Sequence, residues 1–217
     1  MNIMSLINAL PGAVAQGLIW GIMAIGVYVT YRILDVADLT VDGTMCVGGA
    51  VCIMMMLGGS NVWVAIGAAV IAGAGAGLVT GIFHTVMGIP PILSGILTQL
   101  ALWSVNLKIM GKANQAINVD KYDLLVSLRY IKGVALTKNT IFIVAVAIVI
   151  VIAILYWFFG TELGCAIRAT GCNGNMARAQ GINTNFNKVL GLMVSNALVA
   201  LSSALLAQYQ GLSLIHI

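Results

Sequence analysis

Long apolar runs separated by short polar connections dominate the pattern along the chain. A spanning helix needs about 20 mostly apolar residues, because each adds about 1.5 Å across roughly 30 Å of hydrocarbon. Six segments come close to that length. They cover about 12–31, from Gly12 to Tyr31; about 42–58, short and rich in Gly and Met; about 62–88; about 90–110, opening with Pro90-Pro91; about 140–159, nearly all Ile, Val, Ala and aromatics; and about 187–210. Proline suits a first helical turn, where its missing N–H would have no partner. Two longer polar connections, 111–139 and 160–186, interrupt the series. The pattern predicts an all-α fold: a single polytopic transmembrane bundle of about six spans over residues 1–211, with no soluble domain attached.

Glycine spacing adds packing detail. Gly73, Gly77 and Gly81 repeat at four-residue intervals in the third span, leaving one face nearly bare backbone for another helix to approach. Gly17 and Gly21 are expected to do the same in the first span.

Composition agrees with the pattern. Of 217 residues, 61% are hydrophobic and 7% charged, against about 25% charged in a soluble domain. The net charge of +4 fits loops near anionic lipid better than nucleic-acid binding. Cys46, Cys52, Cys165 and Cys172 match no CxxC or Cys/His metal spacing, and all four are expected to be small structural hydrophobes. The N-terminus lacks the Lys or Arg that opens a signal peptide, so the first span is expected to be retained. There is no G-x-x-x-x-G-K-[ST] phosphate loop. No Ser/His/Asp set or carboxylate pair stands out, so no catalytic residue, cofactor or metal site is expected.

Some polar residues fall inside the spans. Gln99, Trp103 and Asn106 lie at i, i+4 and i+7, one helical face, with Ser94 and Thr98 nearby. Polar groups in lipid are costly and turn toward the bundle interior. This face is a candidate lining for a substrate pathway; hydrogen bonding between helices explains it equally well. Asp35, Asp38 and Asp42 precede the second span, where Asp42 or Thr44 is expected to cap the helix. Capture of a cationic solute is the alternative. His84 is expected to make a polar contact at a helix end rather than to relay protons.

The most informative segment runs Gly160-Thr-Glu-Leu-Gly-Cys-Ala-Ile-Arg-Ala-Thr-Gly-Cys-Asn-Gly-Asn-Met-Ala-Arg-Ala-Gln-Gly-Ile182. It reads as two short helices with punctuation. Residues 162–170 are helix-compatible and are expected to stop at Gly171. Asn173 or Asn175 can cap a turn over Met176 to Gln180. Gly181 stands where a left-handed C-terminal residue is wanted. A compact helical knob between two spans is the result.

This segment resembles the cytoplasmic loop of ATP-binding-cassette importer permeases of the branched-chain amino acid and ribose type. The likeness lies in Leu163-Gly164, Ala166 to Gly171, Asn173, Met176-Ala177 and Gly181-Ile182. The stretch Tyr31 to Thr44 with the Gly-rich helix after it is similar to the family's second helix, and tryptophan/tyrosine-type permeases are most alike. The resemblance implies a coupling loop that fits a groove on a separate ATP-hydrolysing subunit. Glu162, Gly164, Arg168, Thr170, Gly171, Asn173, Met176, Ala177, Arg178 and Gly181 would form it, with Met176, Ala177 and Arg178 touching the ATPase. It also implies a second permease subunit, expected as a homodimer, an extracytoplasmic substrate-binding protein, a lipid environment in the bacterial plasma membrane and no nucleic acid. The cargo would be a small organic solute, with an amino acid the expected class. A secondary transporter or channel is the alternative; it would want charged pairs or broken helices deep in the membrane. An intramembrane enzyme would need convergent nucleophiles or metal ligands, and none is evident.

Loop charge conflicts with this reading. Lys112, Lys121, Arg129, Lys132 and Lys138 lie in the first long connection; Arg168, Arg178 and Lys188 lie in or beside the second. One span separates them, so they face opposite sides. The excess of positive charge favours the first as cytoplasmic, whereas the motif favours the second. We follow the motif. Permeases of the resembled type continue beyond the sixth span. The final hexapeptide, Leu212 to Ile217, equals one reading frame of a transposon-based sequencing adapter. These two facts lead us to expect a truncated chain with a non-native tail over 212–217.

Overall fold

The computed structural model describes residues 3–111, 114–116, 125–126 and 140–214. Helix α1 (Ile3–Tyr28) runs into a π turn (Val29–Ile33), followed by α2 (Val41–Leu57), α3 (Val62–Thr85) and α4 (Pro91–Met110). After the first long connection come α5 (Thr140–Gly160), the short α6 (Glu162–Cys172) and α7 (Gly174–Ala179), then α8 (Thr184–Gln210). A three-residue strand β1 (Asn114–Ala116) pairs antiparallel with β2 (Leu212–Leu214). Apart from that pair, the described residues fold as the expected helical bundle.

Among the described residues, five segments are long and apolar enough to cross a membrane: Leu10–Ile33, Val62–Thr85, Pro91–Met110, Thr140–Gly160 and Thr184–Gln210. The sixth, α2, has 17 residues, or about 25 Å of helix. Its shortness is tolerable because it is enclosed by protein; Gly43 to Ala50 is buried without a break.

Helix α8 is the axis of the bundle. It carries Ser195, Asn196, Ser202 and Ser203 among small apolar residues, so neighbouring backbones approach it closely. Helix α1 runs antiparallel to it. Ser195 Oγ donates to Gly26 O at 2.7 Å, Ser202 Oγ to Ile19 O at 2.8 Å and Tyr209 OH to Gly12 O at 2.9 Å. Helix α2 runs parallel on another flank, tied by Ser203 Oγ to Met45 O. Such interhelical bonds in a bilayer are worth about 0.6 kcal/mol each on average, so they align the helices while close packing holds them.

The glycine stripe of α3 packs as expected. A Cβ on Gly73 would collide with Ala200 Cβ and Asn196 O, and one on Gly77 with Leu192 O. Gly48 of α2 meets Ala200 from the other side, where a Cβ would lie 2.7 Å from Ala200 O. Gly17 and Gly21 depart from expectation: a Cβ at either meets nothing within 4 Å. The close approach of α1 is made instead at Gly26, against Ser195 O. At the periphery, α5 packs mainly on α1 and α6, and its Val149, Ile150, Ile152 and Ile154 are exposed. That is the surface a lipid-facing helix presents.

Candidate functional site: a capped knob and a buried polar node

Three side chains punctuate the segment after α5. Thr161 opens α6 by accepting the Gly164 N–H at 3.4 Å. Asn173 opens α7, its Oδ1 accepting Met176 N–H at 3.0 Å. Asn183 opens α8, its Oδ1 accepting Phe186 N–H at 3.1 Å. Each satisfies a backbone donor that a helix start leaves free. Gly181 adopts φ +82°, and Ile182 N–H returns to Ala177 O at 3.0 Å, closing α7. Glu162 sits in the first turn of α6, where a carboxylate favours the helix dipole.

The knob is anchored on two sides. Ile167 is buried against Leu34, Val36 and Leu192. Thr170 Oγ1 accepts from Asn187 Nδ2 at 3.2 Å, and Arg178 Nη2 donates to Thr184 Oγ1 at 3.0 Å, so α6 and α7 are both tied to the first turns of α8. Gly164 allows α6 to fold back on the Phe158–Phe159 backbone. Gly171 does not stop α6, which continues to Cys172. Its missing side chain instead lets α6 meet Ile33 O of the π turn, so a packing demand outweighs its weak helix propensity.

Exposure sorts the remaining knob residues. Met176 is 55% exposed and Leu163 48%. Arg168 and Arg178 are also exposed. Ala177 faces the other way, 1% exposed. The expectation that Ala177 touches another subunit is therefore corrected: it packs inside the knob, and Met176 carries the outward face. Cys165 and Cys172 are exposed thiols, whereas Cys46 and Cys52 are buried, so the expectation of structural filler holds for the latter pair alone.

The polar face of α4 divides. Ser94, Thr98 and Asn106 are buried, and Gln99 is half-buried. Trp103 is 37% exposed. Ser94 and Thr98 hydroxyls bond carbonyls of their own helix, at Pro91 and Ser94. The Asn106 amide is fully buried with no hydrogen-bond partner among the described residues. This face packs on α2, where a Cβ on Gly43 would lie 3.1 Å from Gln99 Cα.

A stronger polar cluster lies at α8. Asn196 Nδ2 donates to Asp38 Oδ2 at 2.7 Å and to Leu192 O at 3.0 Å, and its Oδ1 accepts from Thr44 Oγ1 at 2.7 Å. Asp38 Oδ1 accepts the Thr40 N–H at 2.8 Å, and the Thr40 and Thr80 hydroxyls bond at 2.7 Å. Asp38, not Asp42 or Thr44, thus satisfies the free backbone at the start of α2. One side chain from α8 binds the entry to α2, α2 itself and, through Thr40, α3. Polar residues 195, 196, 202 and 203 of the last span were the signal that marked this face.

His84 makes the expected contact at a helix end. Its Nδ1 bonds Ile89 O at 2.9 Å, which requires a proton there. Nε2 then accepts from Lys188 Nζ at 3.4 Å, joining α3 to α8. The end of α1, the α3–α4 connection and the knob consequently share one side of the membrane.

Comparison with known proteins settles the family. A family model described as "Branched-chain amino acid transport system / permease component" matches residues 10–216. The chain belongs to that permease family. It is 38% identical over 207 residues to a tyrosine transport system permease protein of Clostridioides difficile (strain R20291), covering 95% of this chain and 66% of that protein. An uncharacterized protein of Rickettsia prowazekii (strain Madrid E) is 33% identical over 94% of this chain and 69% of its own length. The fructose import permease protein FruF of Bifidobacterium longum (strain NCC 2705) is 29% identical over 76% of this chain and 46% of its own. The chain thus spans about two thirds of the first two relatives and under half of the third. No solved structure matches significantly. Family and spans together make this permease a multi-pass protein of the bacterial inner membrane.

Proposed function

We propose that this permease is the membrane subunit of an ATP-binding-cassette importer and that the α6–α7 knob is its contact with a separate ATPase. Family membership supports a transport role for a small solute. The 38% identity to a tyrosine permease favours an amino acid over a sugar. A second permease copy and an extracytoplasmic binding protein complete the assembly.

The observation that carries the reading is an apolar side chain, Met176, held 55% exposed at the tip of a triply capped loop. Exposed Met on a rigid polar surface suits a partner's groove. Motion imposed on the knob passes through contiguous bonds: Thr170 to Asn187 and Arg178 to Thr184 lead straight into α8. Helix α8 then contacts α1, α2 and α3. That is the rigid linkage that coupling between distant sites requires. Among the described residues the charged side chains lie at span ends, unlike a transporter with ion sites at mid-membrane.

The test replaces Met176 with Glu in the full-length permease assembled with its ATPase. Loss of a central interface residue costs about 2 kcal/mol or more, so we expect ATPase affinity to fall roughly thirtyfold and solute-stimulated hydrolysis with it, at unchanged thermal stability of the permease. Unaltered assembly and stimulation would refute the assignment.

A further inference from the structure

Two adjoining cavities lie on the knob's side of the bundle, away from α4. The larger, about 810 Å³, runs between the end of α1 and α5 and is lined mainly by apolar side chains, including Ile25, Val29, Ile152 and Leu155. The smaller, about 560 Å³, is lined about equally by polar and apolar surface and includes Arg32, Asp35 and Arg168. Tyr28, Ile33 and Arg168 line both. The volumes are those of ligand sites.

Position relative to the bilayer sets what such a groove meets. Tyr28 and Tyr31 end the first span, and Tyr156 and Trp157 end α5, all strongly exposed. Aromatic side chains with a polar edge mark the headgroup level of a membrane. Deeper in, the groove is walled by aliphatic residues; at its mouth stand two guanidiniums. Arg168 donates to Phe159 O at 3.0 Å and contacts Cys165 Sγ, and neither arginine is paired with a carboxylate among the described residues. With Asp35 counted, the smaller cavity keeps one net positive charge.

We propose that this groove binds an anionic phospholipid, its phosphate between Arg32 and Arg168 and an acyl chain along Ile25, Val29, Ile152 and Leu155. An acyl chain matches the apolar wall, and a phosphate matches guanidinium donors. A zwitterionic lipid would bring a second cation to a mouth that is already positive. The proposal does not depend on the ATPase reading, since it concerns only the membrane face of α1, α5 and α6.

Trp157 lines the groove and reports on it directly. The full-length permease would carry Trp157 as its sole tryptophan, with Trp20, Trp63, Trp103 and every tryptophan outside these residues replaced by Phe. It is placed in phosphatidylcholine bilayers containing a minor fraction of either phosphatidylglycerol or phosphatidylcholine brominated on the acyl chain. We expect the phosphatidylglycerol to quench Trp157 at a mole fraction on the order of tenfold lower. That preference should vanish in the Arg32→Gln/Arg168→Gln double variant and persist in Arg32→Lys/Arg168→Lys. Equal quenching by the two lipids in the unaltered groove would overturn the proposal as ordinary lipid contact. Absence of quenching by either would overturn it by showing the groove covered by protein, whether another span or a second copy.

Discussion

Gly77 offers a sharp test of how the bundle is held. A Cβ at this position would meet Leu192 O and would lie 2.8 Å from Leu192 C and 2.9 Å from Met193 Cα. These are backbone atoms of the central helix, so no rotamer change relieves the overlap. Reaching an ordinary contact of 3.4 Å at the tightest point, Leu192 O, requires α3 and α8 to part locally by about 1 Å. A radial gap of roughly 0.5–1 Å forfeits a quarter to a half of each dispersion contact along the seam. Overpacking of this kind costs about 1–3 kcal/mol. Gly75, two residues away on the same helix, faces outward, where a Cβ meets nothing within 4 Å. Gly75→Ala should therefore be neutral, or stabilising by up to about 1 kcal/mol through helix propensity. The assay is reversible or kinetic unfolding of the purified permease in one detergent, with both variants measured beside the parent. Gly77→Ala should unfold at a clearly lower midpoint and Gly75→Ala should not. Equal behaviour of the two variants would refute the α3–α8 seam.

Further predictions concern the polar node and the knob. Asn196→Ala leaves the Asp38 carboxylate and Thr44 hydroxyl without their partner and should cost about 1–3 kcal/mol; a double-mutant cycle with Thr44→Val should show coupling, and strict additivity would count against the node. Gly181→Ala places a side chain at φ +82°, with a penalty of about 1–2 kcal/mol. Amide exchange at Ile182 should accelerate in that variant and stay close to normal in Gly181→Asn, since Asn tolerates the left-handed region. Unchanged exchange in Gly181→Ala would mean that this residue does not close α7.

Much of the architecture was legible from local pattern. Apolar run length located the spans, because the demand for about 20 apolar residues acts within each segment. The same holds in the knob for Asn173 and Gly181, which act on backbone groups three or four residues away; Thr161 and Asn183, not anticipated as caps, work by the same local chemistry. The glycine repeat in α3 announced a close approach but not its partner, Ala200 and its neighbours.

What escaped depends on distant partners. The Asp38–Asn196 bond joins residues 158 apart, and no local rule pairs them. Helical spacing puts Trp103 near Asn106, yet the depth of each position is fixed by neighbouring helices: Asn106 is fully buried and Trp103 is 37% exposed. Weak helix propensity predicts a stop at Gly171, but its proximity to Ile33 requires the absence of a side chain. Gly17 and Gly21 carry the same motif as α3 with no helix against them among the described residues.

The native thiols of the knob provide the most direct test of the central claim. Cys165 and Cys172 are exposed, whereas Cys46 and Cys52 are buried in the bundle. A membrane-impermeant maleimide, followed by mass spectrometry of the peptide spanning 165–172, reports which side of the membrane the knob faces. A cytoplasmic coupling knob predicts labelling in inverted vesicles and none in right-side-out vesicles. Labelling from the outside would contradict the account, because no ATPase could then reach Met176.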